Sequence, residues 1–370
     1  EVDGGVRVSI NLTSNGLSGT IPLELTAGFG LTLRSLDLSD NDLRGVIPSF
    51  RYGGGPFGLE KLYLGGNSLT GTVPEELGQL TALTHLYLND CVLTGTVPPS
   101  LGGLQRLQGL GLYNNAFSGT IPPSLGRLSD LYVFYLDSND LTGTIPPELG
   151  LIPGLADLRL RRNNLRGPIP SELGRLERLE VLYLDSNALS GQIPPDLGGL
   201  GHLMELHLYR NRIEGTLPSE FGGLDDLILL YLDHNLLTGT IPPEFGGMGD
   251  LESLYLFENH LNGTIPGMAL GAMEDLRSFR ISDNRLTGVL PGEIGRLFKL
   301  EEIFVDNNWL DGPLPETLGF LNKLSKLRIE GNEFKGIVPE SVCHLTTESL
   351  TNFVADCRRE IECSCCTACI

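Results

Sequence analysis

Leu136-Asp137-Ser138-Asn139-Asp140-Leu141-Thr142-Gly143-Thr144-Ile145-Pro146 is one copy of a frame that runs the length of the 370-residue chain. Aligned on the Asn, the copies fall at Asn15, Asn41, Asn67, Cys91, Asn115, Asn139, Asn163, Asn187, Asn211, Asn235, Asn259, Asn284, Asn308 and Asn332. Four residues after every one of these positions stands a Gly, from Gly19 to Gly336, and seven after stands a Pro, from Pro22 to Pro339. The usual step is 24 residues. Self-similarity at such a period is the mark of a solenoid, in which a unit too small to hide its own apolar face shares a core with its neighbours.

Within a unit the positions five and three before the Asn are apolar, as in Phe134 and Leu136 or Leu182 and Leu184. That alternation predicts a short strand with every second side chain turned inward. Stacked units would place such strands ~4.8 Å apart in one parallel sheet. The Asn is expected to turn inward where the strand ends, its amide serving backbone groups that have lost their ladder partners. The Gly is expected to allow a close backbone approach. The Pro is expected to end the extended segment before a short, loosely helical turn such as Pro147 to Gly150.

The frame L-x-x-L-x-L-x-x-N-x-L-x-G-x-I-P-x-x-L-G resembles the plant-type leucine-rich repeat over about residues 8 to 345. It is similar to the ectodomains of plant receptor-like kinases and receptor-like proteins, to polygalacturonase-inhibiting proteins and to related algal proteins. The resemblance implies an α/β solenoid: a right-handed superhelix of about 14 plant-type repeats with a parallel concave sheet and a convex side of 3-10 turns and loops. It also implies a secreted or cell-surface setting and a non-enzymatic role in recognising a protein or peptide. Two further partners go with it, a secreted cell-wall hydrolase that the protein would inhibit and an acidic or structural wall polysaccharide. One fold serves many partners, so the site has to be argued from residues.

A formal charge of −20 disfavours nucleic acid, whose phosphates need basic grooves. No apolar run reaches the ~18 residues of a membrane span. The chain opens on Glu1-Val2-Asp3-Gly4-Gly5 without the paired-cysteine capping segment found in the family, so the reading expects a longer or processed precursor. Residues 1–340 read as the repeat array and 341–370 as a cysteine-rich cap.

That cap holds Cys343, Cys357, Cys363, Cys365, Cys366 and Cys369. Disulfides would cover the end of a solenoid where too few residues remain for a core, although the spacing also suits a thiolate zinc site. Pairing is left open, and Glu348 to Asp356 reads as a short helix. Cys91, at an Asn position, reads as a small buried thiol without reactivity. Ser49 to Gly58, with three glycines, predicts a bulging loop, and Gly267 to Met273 a small irregularity. Asn11 and Asn262 begin Asn-x-Ser/Thr sequons; Asn262 is expected on a turn and Asn11 on the exposed face of the first strand.

Outward strand positions are free of the frame. Four before the Asn the column includes Tyr63, Tyr87, Tyr135, Arg159, Tyr183, His207, Tyr231, Tyr255 and Arg280, and two residues on it includes Tyr113, Asp137, Arg161, Asp185, Tyr209, Asp233 and Phe257. Eight of the ten tyrosines lie in these two columns. Rings and arginines stacked along a sheet stabilise it by cross-strand and cation–π contacts, and the same residue types carry binding hot spots. The ligand-binding residues predicted on this face are Tyr135, Asp137, Arg159, Arg161, Tyr183, Asp185, His207, Tyr209, Tyr231, Asp233, Tyr255 and Phe257. Arg159, Arg161, Arg162, Arg166, Arg175 and Arg178 form a basic island suited to a carboxylate, sulfate or phosphate. No nucleophile elbow, zinc-protease helix or phosphate loop occurs, so no catalytic residue, cofactor or metal is assigned. Thr-Gly-Thr pairs such as Thr142/Thr144 and Thr238/Thr240 hint at an ice-binding side, but Arg166, Ser190 and Glu214 interrupt them.

Overall fold

The computed structural model describes residues 7–22, 25, 32–49, 58–357 and 361–370. Each repeat builds the same three-part coil. In one of them Val133–Tyr135 forms the strand, and its neighbours Gly109–Gly111 and Asp157–Arg159 pair with it in parallel, residue for residue. Phe134 and Leu136 turn inward and are fully buried, as are Leu131, Leu141, Leu149 and Ile152 from the rest of the coil. After Pro146, extended at φ −67°, a 3-10 turn runs Pro147–Leu151 with proline in its first position, where a missing N–H costs nothing.

The chain divides into two compact units, residues 1–188 and 189–370. In the first, the strands Val8–Asn11, Leu33–Asp37, Lys61–Tyr63, His85–Tyr87, Gly109–Gly111, Val133–Tyr135, Asp157–Arg159 and Val181–Tyr183 follow one another in sequence order, all parallel. In the second, the same arrangement runs from Glu205–His207 through Leu229–Tyr231, Ser253–Tyr255, Ser278–Arg280, Glu302–Phe304 and Lys326–Arg328. A second row of short parallel strands flanks each set, for example Val92–Thr96 in the first unit and Arg212–Thr216 in the second.

The asparagine works as expected, and in two directions. Asn139 Nδ2 donates to Leu136 O and Asp137 O of its own coil and to Leu112 O of the coil before, at 3.1, 3.2 and 3.1 Å. Its Oδ1 accepts from Phe117 N of the preceding coil at 3.0 Å. Cys91 replaces this network with weaker sulfur contacts, to Leu64 O at 3.6 Å and from the backbone N–H groups of Asn67 and Leu69, and burial raises its thiol pKa. Sequence inspection missed the residue just before the Asn, which adopts left-handed backbone even where it is Arg162 (φ 53°), His234 (φ 54°) or Glu258 (φ 51°). The frame glycine also needs its freedom: Gly143 has φ 79°, and a Cβ there would lie 2.7 Å from Thr120 Cγ2. Gly150 serves close approach, since a Cβ there would lie 2.2 Å from Glu172 O in the next turn.

At the C-terminal end the expected helix over Glu348 to Asp356 is corrected. The helix lies at Glu340–Leu345, and Asn352–Ala355, expected to be helical, is a strand paired with Lys326–Arg328. The reason is period: Phe353 and Ala355 alternate inward, both fully buried. Elsewhere the residue before the Asn donates its N–H to a backbone carbonyl of the next coil, as Asn307 N does to Glu330 O at 2.8 Å. At the last coil Gly331 N donates instead to the Asp356 carboxylate, at 2.6 Å, so a side chain ends the ladder. The cap cysteines pair as Cys343–Cys365, Cys357–Cys369 and Cys363–Cys366, which occupies the sulfurs a zinc ion would need.

Gly267–Leu270 is a short α-helix in place of a 3-10 turn, which is the expected irregularity. Residues 50–57 of the expected bulging loop lie outside the described residues. Asn262 sits in the flanking strand His260–Gly263, exposed and across from Arg285, and not on a turn. Asn11 ends the first strand, also exposed. No helix among the described residues is long and apolar enough to cross a membrane.

Candidate functional site

The outward face of the parallel strands carries the two columns of rings and charges, and in each unit they brace one another. In the first unit Tyr63 and Tyr87 stack at 5.5 Å. The next strand offers Gly109 and Gly111, where any Cβ would strike the Tyr87 ring. Beyond it Tyr113 meets Tyr135 edge-on at 6.2 Å. The Arg159 guanidinium lies 4.8 Å from the Tyr135 ring centroid and 5.0 Å from that of Tyr183, and Arg161 lies 5.2 Å from Tyr183.

Asp157 anchors this group. It accepts from Tyr135 Oη at 2.7 Å and from Arg159 Nε and Nη2 at 2.8 and 2.7 Å. Burial, together with the hydrogen bond to Asp157, drives the Tyr135 pKa far above the ordinary phenol value. The sequence reading did not place Asp157 in the site. Its signal is the alternation Asp157-Leu158-Arg159, which sets an acid and a base on one face of one strand.

Asp137, Asp185 and Asp233 lie beneath the rings, at 8%, 0% and 5% exposure. Asp137 has a long ion pair to Arg161, 3.9 Å, and a hydrogen bond from its own backbone N–H, yet burial raises its carboxyl pKa. A cavity of about 310 Å³ opens above it, walled by Tyr113, Tyr135 and Arg161. Asp137 Oδ1 and Arg161 Nε make no hydrogen bond. Of the basic island, Arg162 and Arg166 are exposed and have no ion pair among the described residues.

In the second unit His207, Tyr231 and Tyr255 stack face to face, with centroids 4.6 and 4.4 Å apart. Arg280 continues the stack, 4.7 Å from both the Tyr255 and Phe304 rings. Glu302 neutralises this end, accepting from Lys326 Nζ at 2.8 Å and from Arg280 Nε at 3.2 Å. Burial alone would raise the Glu302 pKa, but these two cations outweigh it and hold the carboxyl below its usual range. In the second column Tyr209 and Phe257 lean on their neighbours at 6.0 and 6.1 Å. His234 bridges two carboxylates: Nδ1 is 2.8 Å from Asp233 and Nε2 is 3.1 Å from Glu258. Burial raises the Asp233 pKa despite that neighbour.

In each unit the face is thus a display of buried and part-buried rings braced by their neighbours, with the Tyr135 hydroxyl held by Asp157 and that of Tyr255 by Ser278, which suits contact with another chain. Among the described residues, one group of His, Cys, Asp or Glu is close enough to share an ion. It is Cys357, Cys363 and Cys366, all of them in disulfides.

Family models of the leucine-rich repeat match residues 31–93 and 201–261, and also 106–128, 154–176, 178–200 and 275–297. No curated protein sequence matches the chain. Among solved structures, the leucine-rich-repeat ectodomain of the Arabidopsis receptor kinase HAESA, in complex with an IDA peptide hormone, is 32% identical with a TM-score of 0.84. The match covers 94% of this chain and 57% of that one. A TDR receptor structure is 29% identical with a TM-score of 0.82, over 93% and 62% of the two chains. The chain therefore spans less than two thirds of the length of these receptor structures. A leucine-rich-repeat protein of Leptospira interrogans is 32% identical with a TM-score of 0.71, over 91% and 81%. With its fourteen frames, its parallel strands and its Gly-x-Ile-Pro elements, the chain belongs to the leucine-rich-repeat proteins, of the plant type.

Proposed function

We propose that this protein is a non-enzymatic recognition ectodomain that binds a peptide or protein ligand on the outward strand faces of its repeats. The observation that carries this reading is the self-braced ring ladder. Tyr135, Arg159 and Tyr183 in one unit and His207, Tyr231 and Tyr255 in the other are held in place before any ligand arrives. Preorganised aromatic and arginine side chains lose little freedom on binding, so more of their contact energy appears as affinity. Tyr113, Tyr209 and Phe257 supply the accessible ring edges, and Arg161 and Arg162 supply positive charge for an acidic group on the ligand. Asp137, Asp185 and Asp233 serve as the buried counter-charges that set the ring and arginine positions. Three disulfides in the cap fit an oxidising, extracellular setting, as does a peptide-receptor role like that of the HAESA ectodomain.

The test is selection of a displayed random-peptide library on the purified protein, run beside the Tyr183→Ala/Tyr231→Ala double variant. Each truncation is expected to weaken cross-strand packing by ~1 kcal/mol and leave folding cooperative. Peptides enriched by the wild type should lose at least tenfold in affinity for the variant. Equal capture of the same peptides by both proteins would remove the strand face as the binding site.

A further inference from the structure

A groove of about 800 Å³ lies at the N-terminal edge of the strands in the first unit, next to the ring ladder, which it meets at His85. Its cause is legible in the chain. The turn that leads into each strand carries Ser129-Asp130 in one coil and Glu177-Arg178 two coils on, but Pro153-Gly154 between them. The middle coil therefore has no polar side chain to fill its edge, and Ala156 follows, small and buried. Tyr132 stands beside this notch, 51% exposed, so its ring is open to a guest in the groove.

The groups around the notch are planar hydrogen-bonding side chains of both signs: Asp130, Glu177 and Arg178 on the walls, with the Gln108 amide and the His85 ring further along. None of Asp130, Glu177 and Arg178 has an ion pair among the described residues. The strand-side main chain beside Tyr132 is already paired. Tyr132 N donates to Gln108 O at 2.8 Å, and Ala156 N to Tyr132 O at 2.9 Å, so a ligand must be held by side chains and not by strand addition. Two carboxylates with one guanidinium disfavour a polyanion, and walls made mostly of polar and charged side chains disfavour a lipid or other apolar guest.

We infer that this groove, framed by Tyr132, Asp130, Glu177 and Arg178 over Pro153-Gly154, binds a neutral oligosaccharide. One flat face of a pyranose is apolar and lies on a tyrosine ring, while its hydroxyls each donate and accept, which mixed-sign planar side chains can answer. His85 to Arg178 spans four strand steps, ~19 Å at 4.8 Å per step, the length of a short linear glycan. The groove shares no residue with the peptide-binding set proposed above, and the inference does not rest on that reading.

The experiment titrates the intact protein by calorimetry with three probes up to ~1 mM: a neutral β-linked glucan hexasaccharide, a released mannose-type glycan and a hexameric galacturonide. Tyr132→Ala and Gly154→Gln are measured in parallel. Gly154 tolerates a side chain, since a Cβ there would meet only Leu131 O at 3.5 Å and Ser129 O at 3.9 Å, so Gln fills the notch without straining the turn. Binding of either neutral probe, weakened at least tenfold in both variants, supports the site, and the probe that binds tells wall glycan from protein-borne glycan. Binding of neither neutral probe, binding of the galacturonide alone, or neutral binding unchanged in Gly154→Gln would overturn it.

Discussion

Cys91→Asn should make this protein more stable. In the next coil Asn115 forms four backbone hydrogen bonds: Nδ2 to Leu88 O, Leu112 O and Tyr113 O at 2.9, 3.2 and 3.1 Å, and Oδ1 from Leu93 N at 3.0 Å. Cys91 reaches Leu64 O at 3.6 Å through a weak donor and meets the Leu69 N–H only as a weak sulfur acceptor. An asparagine at 91 would regain bonds to Leu64 O, Leu88 O and Asn89 O and accept from Leu69 N. Four bonds at ~1 kcal/mol net each, reduced by the lost sulfur contacts and the ordering of a longer side chain, predict a gain of about 2 kcal/mol. Urea unfolding at constant m-value is the assay, with Asn139→Cys as the mirror variant expected to lose a similar amount. If Cys91→Asn leaves the midpoint unchanged while Asn139→Cys lowers it, the two sites are not equivalent and the hydrogen-bond argument fails for this coil. If both are silent, the asparagine ladder is not what holds the turns.

Three other outcomes are expected. Gly143→Ala should cost ~1–3 kcal/mol in the same assay, because φ 79° and the Thr120 methyl both oppose a Cβ; a neutral result would mean the coil relaxes freely there. Asp137→Asn should stabilise the protein at neutral pH. Burial raises the folded-state carboxyl pKa above its unfolded value, so the charged form is penalised above that raised pKa and the penalty vanishes below the unfolded one. The advantage of Asn should therefore shrink as pH falls through the acidic range, and an advantage independent of pH would refute this assignment. Cys343→Ser with Cys365→Ser opens a loop of 22 residues and should lower stability by ~3 kcal/mol, read as the midpoint of thermal unfolding.

The repeat, its strand and the inward asparagine were legible because they depend on residue types that recur at fixed spacing. The left-handed residue before the asparagine was not, since Ser138, Arg162, His234 and Glu258 share no side-chain property and the demand falls on the backbone alone. The ring ladder could be read from column composition, but Asp157 could not be ranked above other acids until its distances to Tyr135 and Arg159 were known. Depth within the face was also hidden. Asp137 and Arg161 belong to the same column, yet one is sunk beneath the rings and the other is partly exposed. The cap strand Asn352–Ala355 was misread because, outside the repeat, four residues of alternating burial look the same as the start of a helix.

The asparagine hydrogen bonds have a direction, and that gives the array a grammar. Each Asn Oδ1 closes the backbone of the coil before it, and each Nδ2 ties that coil to its own. A cut at any point in the unit leaves one coil without its lender, but a whole unit excised from Asn to Asn brings an identical lender into place. Gene duplication or loss in steps of one unit therefore passes without a broken bond, while a shift of a single residue does not. The ladder works as a splice rule, under which the number of coils, and with it the length of the outward strand face, can drift in evolution without the fold being redesigned.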